Sequence, residues 1–315
     1  MQFSKRFVVV VVLAAAATAG LIFISWEKRT RRSSNLDCKS WKTSTDQHKT
    51  TLVTKSTCGR YYFLLVLVSS APQNFERRNS IRDTWGTEVT ASSAGPQWKT
   101  FFLLGQTRNQ SLSDVIKREE KTFRDIVRGD YFEHYWKQSF KIEMGFEWAA
   151  RYCNFCFLLK ADDDVFVHTK DLVLYLKKAS TPRKRFYMGK VQATAPVRRH
   201  GKFNVSLNEF SSTFYPDYCS GAGFVLSYDV VECLVVLFDV VNPFRIDDAY
   251  VGILANKAGI SPVHHRWFLF PDSYYDDCYF VPGTLVQHRV TGKCLSKLYR
   301  MHSMMFHDYH LGSFY

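Results

Sequence analysis

Acidic residues are scarce in this 315-residue chain: 29 Asp and Glu stand against 42 Lys and Arg, a formal net charge of +13. From Leu176 to Lys202 there are nine basic residues and no acidic one. Such a balance favours an anionic partner, whether nucleic acid, a membrane surface or a phosphorylated substrate, and does not choose among them. No internal repeat is present, and no low-complexity tract outside a polar stretch at about residues 27–57, so repeat architectures are excluded. The glycine and spaced carboxylates of a calcium-binding EF-hand loop are missing. The Cys153-Asn154-Phe155-Cys156 pair has no second C-x-x-C partner, which removes a four-cysteine zinc site. Against these gaps stand 46% hydrophobic and 16% aromatic residues, enough to bury a large core and to exclude wholesale disorder.

One long apolar run is present. Phe7 to Ser25 (FVVVVVLAAAATAGLIFIS) carries no charge and approaches the ~20 residues that a membrane-crossing helix needs. Its length favours an uncleaved anchor, with a cleaved signal peptide as the alternative. The basic residues after it (Lys28, Arg29, Arg31, Arg32) outnumber Lys5 and Arg6 before it, which by charge alone would put the wrong end inside. Two N-glycosylation sequons, at Asn109 and Asn204, and an even set of eight cysteines point instead to an oxidising, secretory lumen. Structural disulfides are the expectation for the cysteines, with pairing left open among roughly a hundred possibilities. The expected organisation is a cytosolic tail (1–6), a signal-anchor helix (7–26), a polar stem (27–57) and a folded luminal domain (58–315).

Within that domain, Tyr61 to Val68 (YYFLLVLV), Thr100 to Leu104 (TFFLL) and Cys156 to Lys160 (CFLLK) are apolar runs of strand length. Ser139 to Arg151 places Phe140, Met144 and Trp148 at helical spacing. Strands alternating with helices predict an α/β domain with a mixed, largely parallel sheet. The third strand run leads into Asp162-Asp163-Asp164, and ligands of such sheets bind beyond the carboxyl ends of the strands. Three adjacent anions suit a hard divalent cation, Mn²⁺ or Mg²⁺, shared with substrate phosphates. A solvated acidic turn is the plain alternative. A second pair, Asp247-Asp248, could supply a general base, or could simply cap a helix starting near Ala249.

Four segments, taken in order, resemble the Golgi β-1,3-glycosyltransferase family of galactosyl- and N-acetylglucosaminyltransferases. Glu76 to Gly86 (ERRNSIRDTWG) is similar to its R-x-x-I-R-x-T-W-G segment, Lys160 to Val167 (KADDDVFV) to its D-x-D segment, Tyr215 to Ser227 (YPDYCSGAGFVLS) to its Y-P-x-Y-C-S-G block, and Asp247 to Gly252 (DDAYVG) to its [ED]-D-V-[YF]-x-G segment. The resemblance implies a GT-A type domain, a UDP-sugar donor, a glycan acceptor and a divalent metal. It implies Asp248 as catalytic base and Asp164, completed by His288, as metal ligands; His264 and His265 are the alternatives to His288. Arg78, Arg82, Trp85, Lys160, Asp162 and Asp163 are implied on the donor side, with the arginines clamping the diphosphate. Tyr218, Gly221, Gly223 and Asp247 are implied in the donor and acceptor pocket. Phe203-Asn204 stands where the family commonly has Trp-Tyr, which alters the expected acceptor contacts.

The expected protein is thus a single-pass type II Golgi membrane enzyme, inverting, moving galactose from UDP-galactose in β-1,3 linkage. Asp247 stands where galactosyltransferases usually carry Glu, and UDP-N-acetylglucosamine is the second choice of donor. A silent glycan-binding relative and a two-metal phosphohydrolase are the rival readings. Nucleic acid is not an expected partner, since it would require cytosolic or nuclear exposure, and oligomeric state is left open.

Overall fold

A computed structural model describes residues 51–87, 97–270, 278–279, 281–290 and 292–311. The expected tail and anchor and most of the stem lie outside these residues. Among the described residues, no helix is long and apolar enough to cross a membrane.

The first strand, β1 (Tyr61–Ser69), is apolar on both sides because it is covered on both. Leu65 and Leu67 enter one core, while Leu64, Val66 and Val68 enter the other. Helix α1 (Phe75–Arg82), β2 (Trp98–Gln106), α2 (Gln110–Phe123) and β3 (Ile126–Phe132) follow. Then come α3 (Gln138–Tyr152), β4 (Asn154–Asp162), the short β5 (Val165–Val167), α4 (Thr169–Lys177) and β6 (Tyr187–Gln192). The chain continues through β7 (Tyr218–Ser227), α5 (Tyr228–Leu237), α6 (Asp247–Lys257), β8 (Val263–His264), β9 (Phe268–Leu269), β10 (Val286–His288) and α7 (Lys293–Leu311).

Seven strands form one mixed sheet in the order β3-β2-β1-β4-β7-β6-β8. Strands β3, β2, β1 and β4 pair in parallel, β7 pairs antiparallel with both β4 and β6, and β8 is parallel to β6. Only β7 therefore opposes the rest, so the sheet is mixed and largely parallel, as the alternation of strands and helices predicts. A small second sheet runs β5-β10-β9. Helices α3, α5 and α6 pack on one face of the large sheet through Met144, Trp148, Val231 and Tyr250. On the other face α1, α4 and α7 contribute Ile81, Leu172, Leu176, Leu295 and Leu298.

The folded part starts earlier than composition indicates. Residues 51–57, which read as stem, are held along the β3 edge: Leu52 bridges Gly129, the Val53 amide donates to Arg128 O at 3.0 Å, and Trp148 Nε1 donates to Ser56 O at 2.9 Å. A polar segment without periodicity can still pair by its backbone, and no side-chain pattern announces that. Disulfides join Cys58 to Cys153 and Cys278 to Cys294. Cys156 and Cys219 are free thiols, so the structural-disulfide expectation does not extend to them. Cys219 is wholly enclosed within β7, while Cys156 is partly exposed on β4.

An ionic cluster fastens α1 to α2. Arg78, fully buried, donates twice to Glu119, at 2.8 and 2.7 Å. Arg82 reaches Glu119 at 2.7 Å and pairs with Asp125 through two bonds of 2.8 and 2.9 Å. Arg78 also donates to the carbonyls of Ala71 at 2.6 Å and Pro72 at 3.2 Å, which fixes the loop after β1. Removing one member leaves buried charge uncompensated, at a cost of about 3–5 kcal/mol. Glu119→Ala is accordingly expected to lose that much stability in urea unfolding; a loss under about 1 kcal/mol would show that the arginines find other partners.

Candidate active site

The carboxyl ends of β1 and β4 lie side by side, Ser69 being in register with Asp162. They open into a cleft of about 440 Å³. Its walls come from the loop after β1 (Ser70, Asn74, Arg77), the aspartate turn (Asp162, Asp163, Asp164), the β7 segment Ser220-Gly221-Ala222, the start of α6 (Asp247, Asp248) and His288. Tyr135, Trp136, Lys141, Phe203 and Arg245 complete it. The expected site residues from β4, α6 and β10 thus meet in one place.

Each aspartate of the turn does something different. Asp163 faces the loop after β1 and accepts from Ser70 Oγ at 2.7 Å, Asn74 Nδ2 at 2.8 Å and Arg77 Nη1 at 2.8 Å. Its carboxylate is committed to holding that loop. Asp162 accepts from Lys160 Nζ at 2.7 Å. Asp164 lies 3.4 Å from His288 Nε2, because β10 pairs antiparallel with β5 and sets His288 opposite Val165. One ligand atom from each of Asp162, Asp164 and His288 falls within 4.8 Å of the others. Two carboxylates and an imidazole make a donor set that a Mn²⁺-like or Mg²⁺-like cation accepts. His264 and His265 sit elsewhere: His264 Nδ1 accepts from the Val191 amide at 3.2 Å, and the His265 ring packs edge-on against Tyr175.

Lys160 and Asp162 are two residues apart on β4 and so share a face. The ammonium is 1% exposed and donates to Asp162 and, at 2.6 Å, to Gly221 O; Asp247 is 3.6 Å away. Burial works against its charge, yet the surrounding Asp162, Asp247 and Asp248 outweigh burial and raise its pKa. Burial pushes the Asp162 carboxyl up, helped by Asp247 and Asp164 and opposed by Lys160.

Asp248 is the second residue of α6, whose N-cap is Ile246, so neither Asp247 nor Asp248 occupies the capping position. Its Oδ2 accepts from the Gly221 amide at 2.9 Å and its Oδ1 from the Ala249 amide at 2.8 Å. Burial, together with the neighbouring Asp247, pushes this carboxyl to about 7, against the pull of the two amides and Lys160. A carboxylate tuned to neutral pH within a cleft is suited to take up a proton.

Two glycines permit this geometry. A Cβ on Gly252 would sit 2.3 Å from Tyr218 Cβ, so α6 lies against β7 only because residue 252 has none. A Cβ on Gly223 would meet Val286 Cγ1 at 3.0 Å, which lets β10 close over β7. Tyr218 thereby serves as the surface on which α6 rests.

Other expected donor-side residues lie outside the cleft lining. Arg78 and Arg82, which the resemblance implies as a diphosphate clamp, are paired with Glu119 and Asp125. Trp85 is 2% exposed and belongs to the core. Arg77 lines the cleft instead. Arg78 and Arg82, at i and i+4, share one helix face, but Arg77 stands four residues before the buried Ile81, so helical spacing alone does not separate the three. Lys141 is the other omission. It sits among the apolar residues of α3, fully buried, bonded to Ser70 O and to Glu133 Oε1 at 2.9 Å.

Asn109 is exposed and caps α2 by accepting from the Leu112 amide at 3.1 Å. Asn204 is half-buried and follows Phe203, which lines the cleft.

Residues 76–266, more than half of the chain, match the Galactosyltransferase family model. The chain belongs to that family. Among its β-1,3-glycosyltransferase relatives, the lactosylceramide 1,3-N-acetyl-beta-D-glucosaminyltransferase B of Danio rerio is 36% identical over 216 residues, covering 65% of this chain and 56% of the relative. Beta-1,3-galactosyltransferase 1 of Mus musculus is 32% identical over 209 residues, covering 65% of this chain and 64% of the relative. The matched segment therefore spans less than two thirds of either. Among solved structures, the galactosyltransferase LgtC with donor and acceptor sugar analogues aligns at a TM-score of 0.37 and 10% identity over 76% of this chain and 94% of that one, a likeness that carries no argument.

Gly252→Ala is expected to destabilise the fold by about 1–3 kcal/mol, the usual cost of overpacking, and to draw α6 away from Gly221. A lowered midpoint of thermal unfolding together with a lower kcat would agree; an unchanged midpoint would mean that the contact with Tyr218 relaxes freely.

Proposed function

We propose that the chain is an inverting β-1,3-glycosyltransferase that moves galactose from UDP-galactose to a hydroxyl of a glycan acceptor. The observation that carries this reading is the placement of Asp248: a carboxyl near neutral pKa, fixed by two backbone amides, in the same cleft as a cation-ready group at Asp162, Asp164 and His288. Family membership supports the transferase class; the GT-A type of fold is part of the proposal. Because relatives of both names match, UDP-N-acetylglucosamine remains the second donor choice.

In this reading Asp248 accepts the proton of the acceptor 3-hydroxyl while that oxygen bonds to the anomeric carbon from the face opposite the leaving group. The bond from that carbon to the diphosphate breaks, and its electron pair leaves with UDP. Asp162, Asp164 and His288 would hold the divalent cation, which supplies Lewis-acid neutralisation of the departing diphosphate when bound. Arg77, partly exposed beside Asp163, brings positive charge to the cleft wall, while the buried Lys141 is paired with Glu133 and holds the carbonyl of Ser70. Lys160 keeps Asp162 and Asp247 in place, and the Gly221 amide aims Asp248. On the acceptor side, Trp136 and Phe203 meet edge-on with centroids 6.2 Å apart, and Arg245 lies over Trp136 at 5.7 Å. Such rings offer an apolar face to a sugar, so Phe203 serves here in place of the family's Trp-Tyr.

For location, we propose a type II Golgi membrane protein anchored by residues 7–26, with stem and catalytic domain in the lumen. The disulfides Cys58–Cys153 and Cys278–Cys294 suit that compartment, as do the sequons at Asn109 and Asn204. Glycosidase treatment should increase gel mobility; no shift, with both asparagines unmodified, would remove the luminal assignment.

Asp248→Asn should lower kcat by about 10²–10⁴-fold, the usual contribution of a general base, with donor KM nearly constant. Asp247→Asn should do less. Because the Asp248 carboxyl is inactive as a base while protonated, wild-type kcat/KM should rise with pH up to about 7 and then level. Equal losses in both variants, or an acidic limb retained by Asp248→Asn, would place the base elsewhere. Asp164→Ala should abolish the Mn²⁺ dependence of UDP binding in calorimetry; UDP affinity indifferent to Mn²⁺ in the wild type would take the metal out of the reading.

A further inference from the structure

A second group of metal-binding side chains converges away from the cleft, on the far side of β5. His168 is the N-cap residue of α4 and is 1% exposed, Asp171 lies in that helix's first turn, and His302, 9% exposed, comes from α7. Asp171 Oδ2 is 2.8 Å from His302 Nε2. The rings of His168 and His302 meet edge-on with centroids 4.5 Å apart. One ligand atom from each of the three residues lies within 4.8 Å of the other two.

The backbone holds this cluster firmly. The His168 amide donates to Leu285 O at 2.9 Å, and His168 O accepts from the Leu172 amide at 2.8 Å, so the ring is fixed at the junction of strand and helix. His302 follows Leu295 and Leu298 at helical spacing, and both leucines are buried in the core, so α7 presents His302 along its packed side.

We propose that His168, Asp171 and His302 form a structural zinc site that staples α7 to α4. Two imidazoles and one carboxylate are a softer donor set than the two carboxylates and one imidazole of the cleft, and late first-row cations favour it. The Asp171 side chain is one-third exposed, which leaves a direction from which water completes a tetrahedral shell. Zinc here clamps the middle of α7, whose first turn is already tied through Cys294 to Cys278. It also braces β5, the three-residue strand that separates His168 from Asp164. The competing account is a His302–Asp171 ion pair with His168 merely packed beside it.

The test uses the full-length chain in detergent, incubated with zinc chloride, dialysed against zinc-free buffer and analysed for metal. The wild type should retain about one zinc per chain through these residues and melt at a higher temperature with zinc than after chelation. His302→Ala should weaken zinc binding by about tenfold or more, whereas His288→Ala, which alters the cleft group, should leave it intact. Cobalt(II) in place of zinc should give the visible absorption of a tetrahedral centre in the wild type and lose it in Asp171→Asn, a near-isosteric change that serves if His302→Ala does not fold. Wild-type protein that retains no zinc and melts alike with and without it would leave only the ion pair. Retention lost in His288→Ala but kept in His302→Ala would assign the metal to the cleft instead. None of these readouts depends on transferase activity.

Discussion

A single ammonium group, that of Lys160, makes the cleft possible. Asp162, Asp164, Asp247 and Asp248 all line the same cavity, and unit charges a few ångströms apart repel by several kcal/mol at the effective dielectric of a protein surface, ~20. Lys160 answers this from below, buried on the central strand, bonded to Asp162 and Gly221 O and close to Asp247. Because the same group touches β4, β7 and the first residue of α6, it sets the spacing of three elements as well as their charge. Asp248 keeps a raised pKa even so, through its burial first and the neighbouring Asp247 second, against the pull of Lys160 and two backbone amides.

A second ionic assembly does for the loop after β1 what Lys160 does for the floor. Glu119 neutralises Arg78, Arg78 grips the carbonyls of Ala71 and Pro72, and Ser70 and Asn74 on that loop donate to Asp163. The route from α2 to the aspartate turn is thus continuous in charge and hydrogen bonds. Arg78 and Arg82 of ERRNSIR serve architecture, while Arg77 lines the cleft.

Much of this was legible from residues in order. The YYFLLVLV, TFFLL and CFLLK runs are strands because only a sheet covered on both faces accommodates unbroken apolar stretches, and the carboxylates after the third run fall at the expected strand end. Assigning the three aspartates separate duties was not possible from adjacency, since alternation along β4 and the turn after it send Asp162, Asp163 and Asp164 in different directions. Lys141 was hidden for a related reason: among Phe140, Ile142 and Met144 a lysine reads as the solvated side of a helix, and only the packing of α3 beneath Ser70 encloses it. Residues 51–57 look like stem by composition, since backbone pairing to β3 leaves no trace there. His302 lies too far along the chain from Asp171 for any spacing rule to connect them.

The central claim is that one direct displacement, assisted by Asp248, joins donor and acceptor without a covalent enzyme intermediate. The anomeric configuration of the product decides it most directly. Proton NMR of the disaccharide formed from the α-linked UDP-sugar should show a β linkage from the first turnover, the signature of inversion; an α-linked product would mean retention, and would contradict the account.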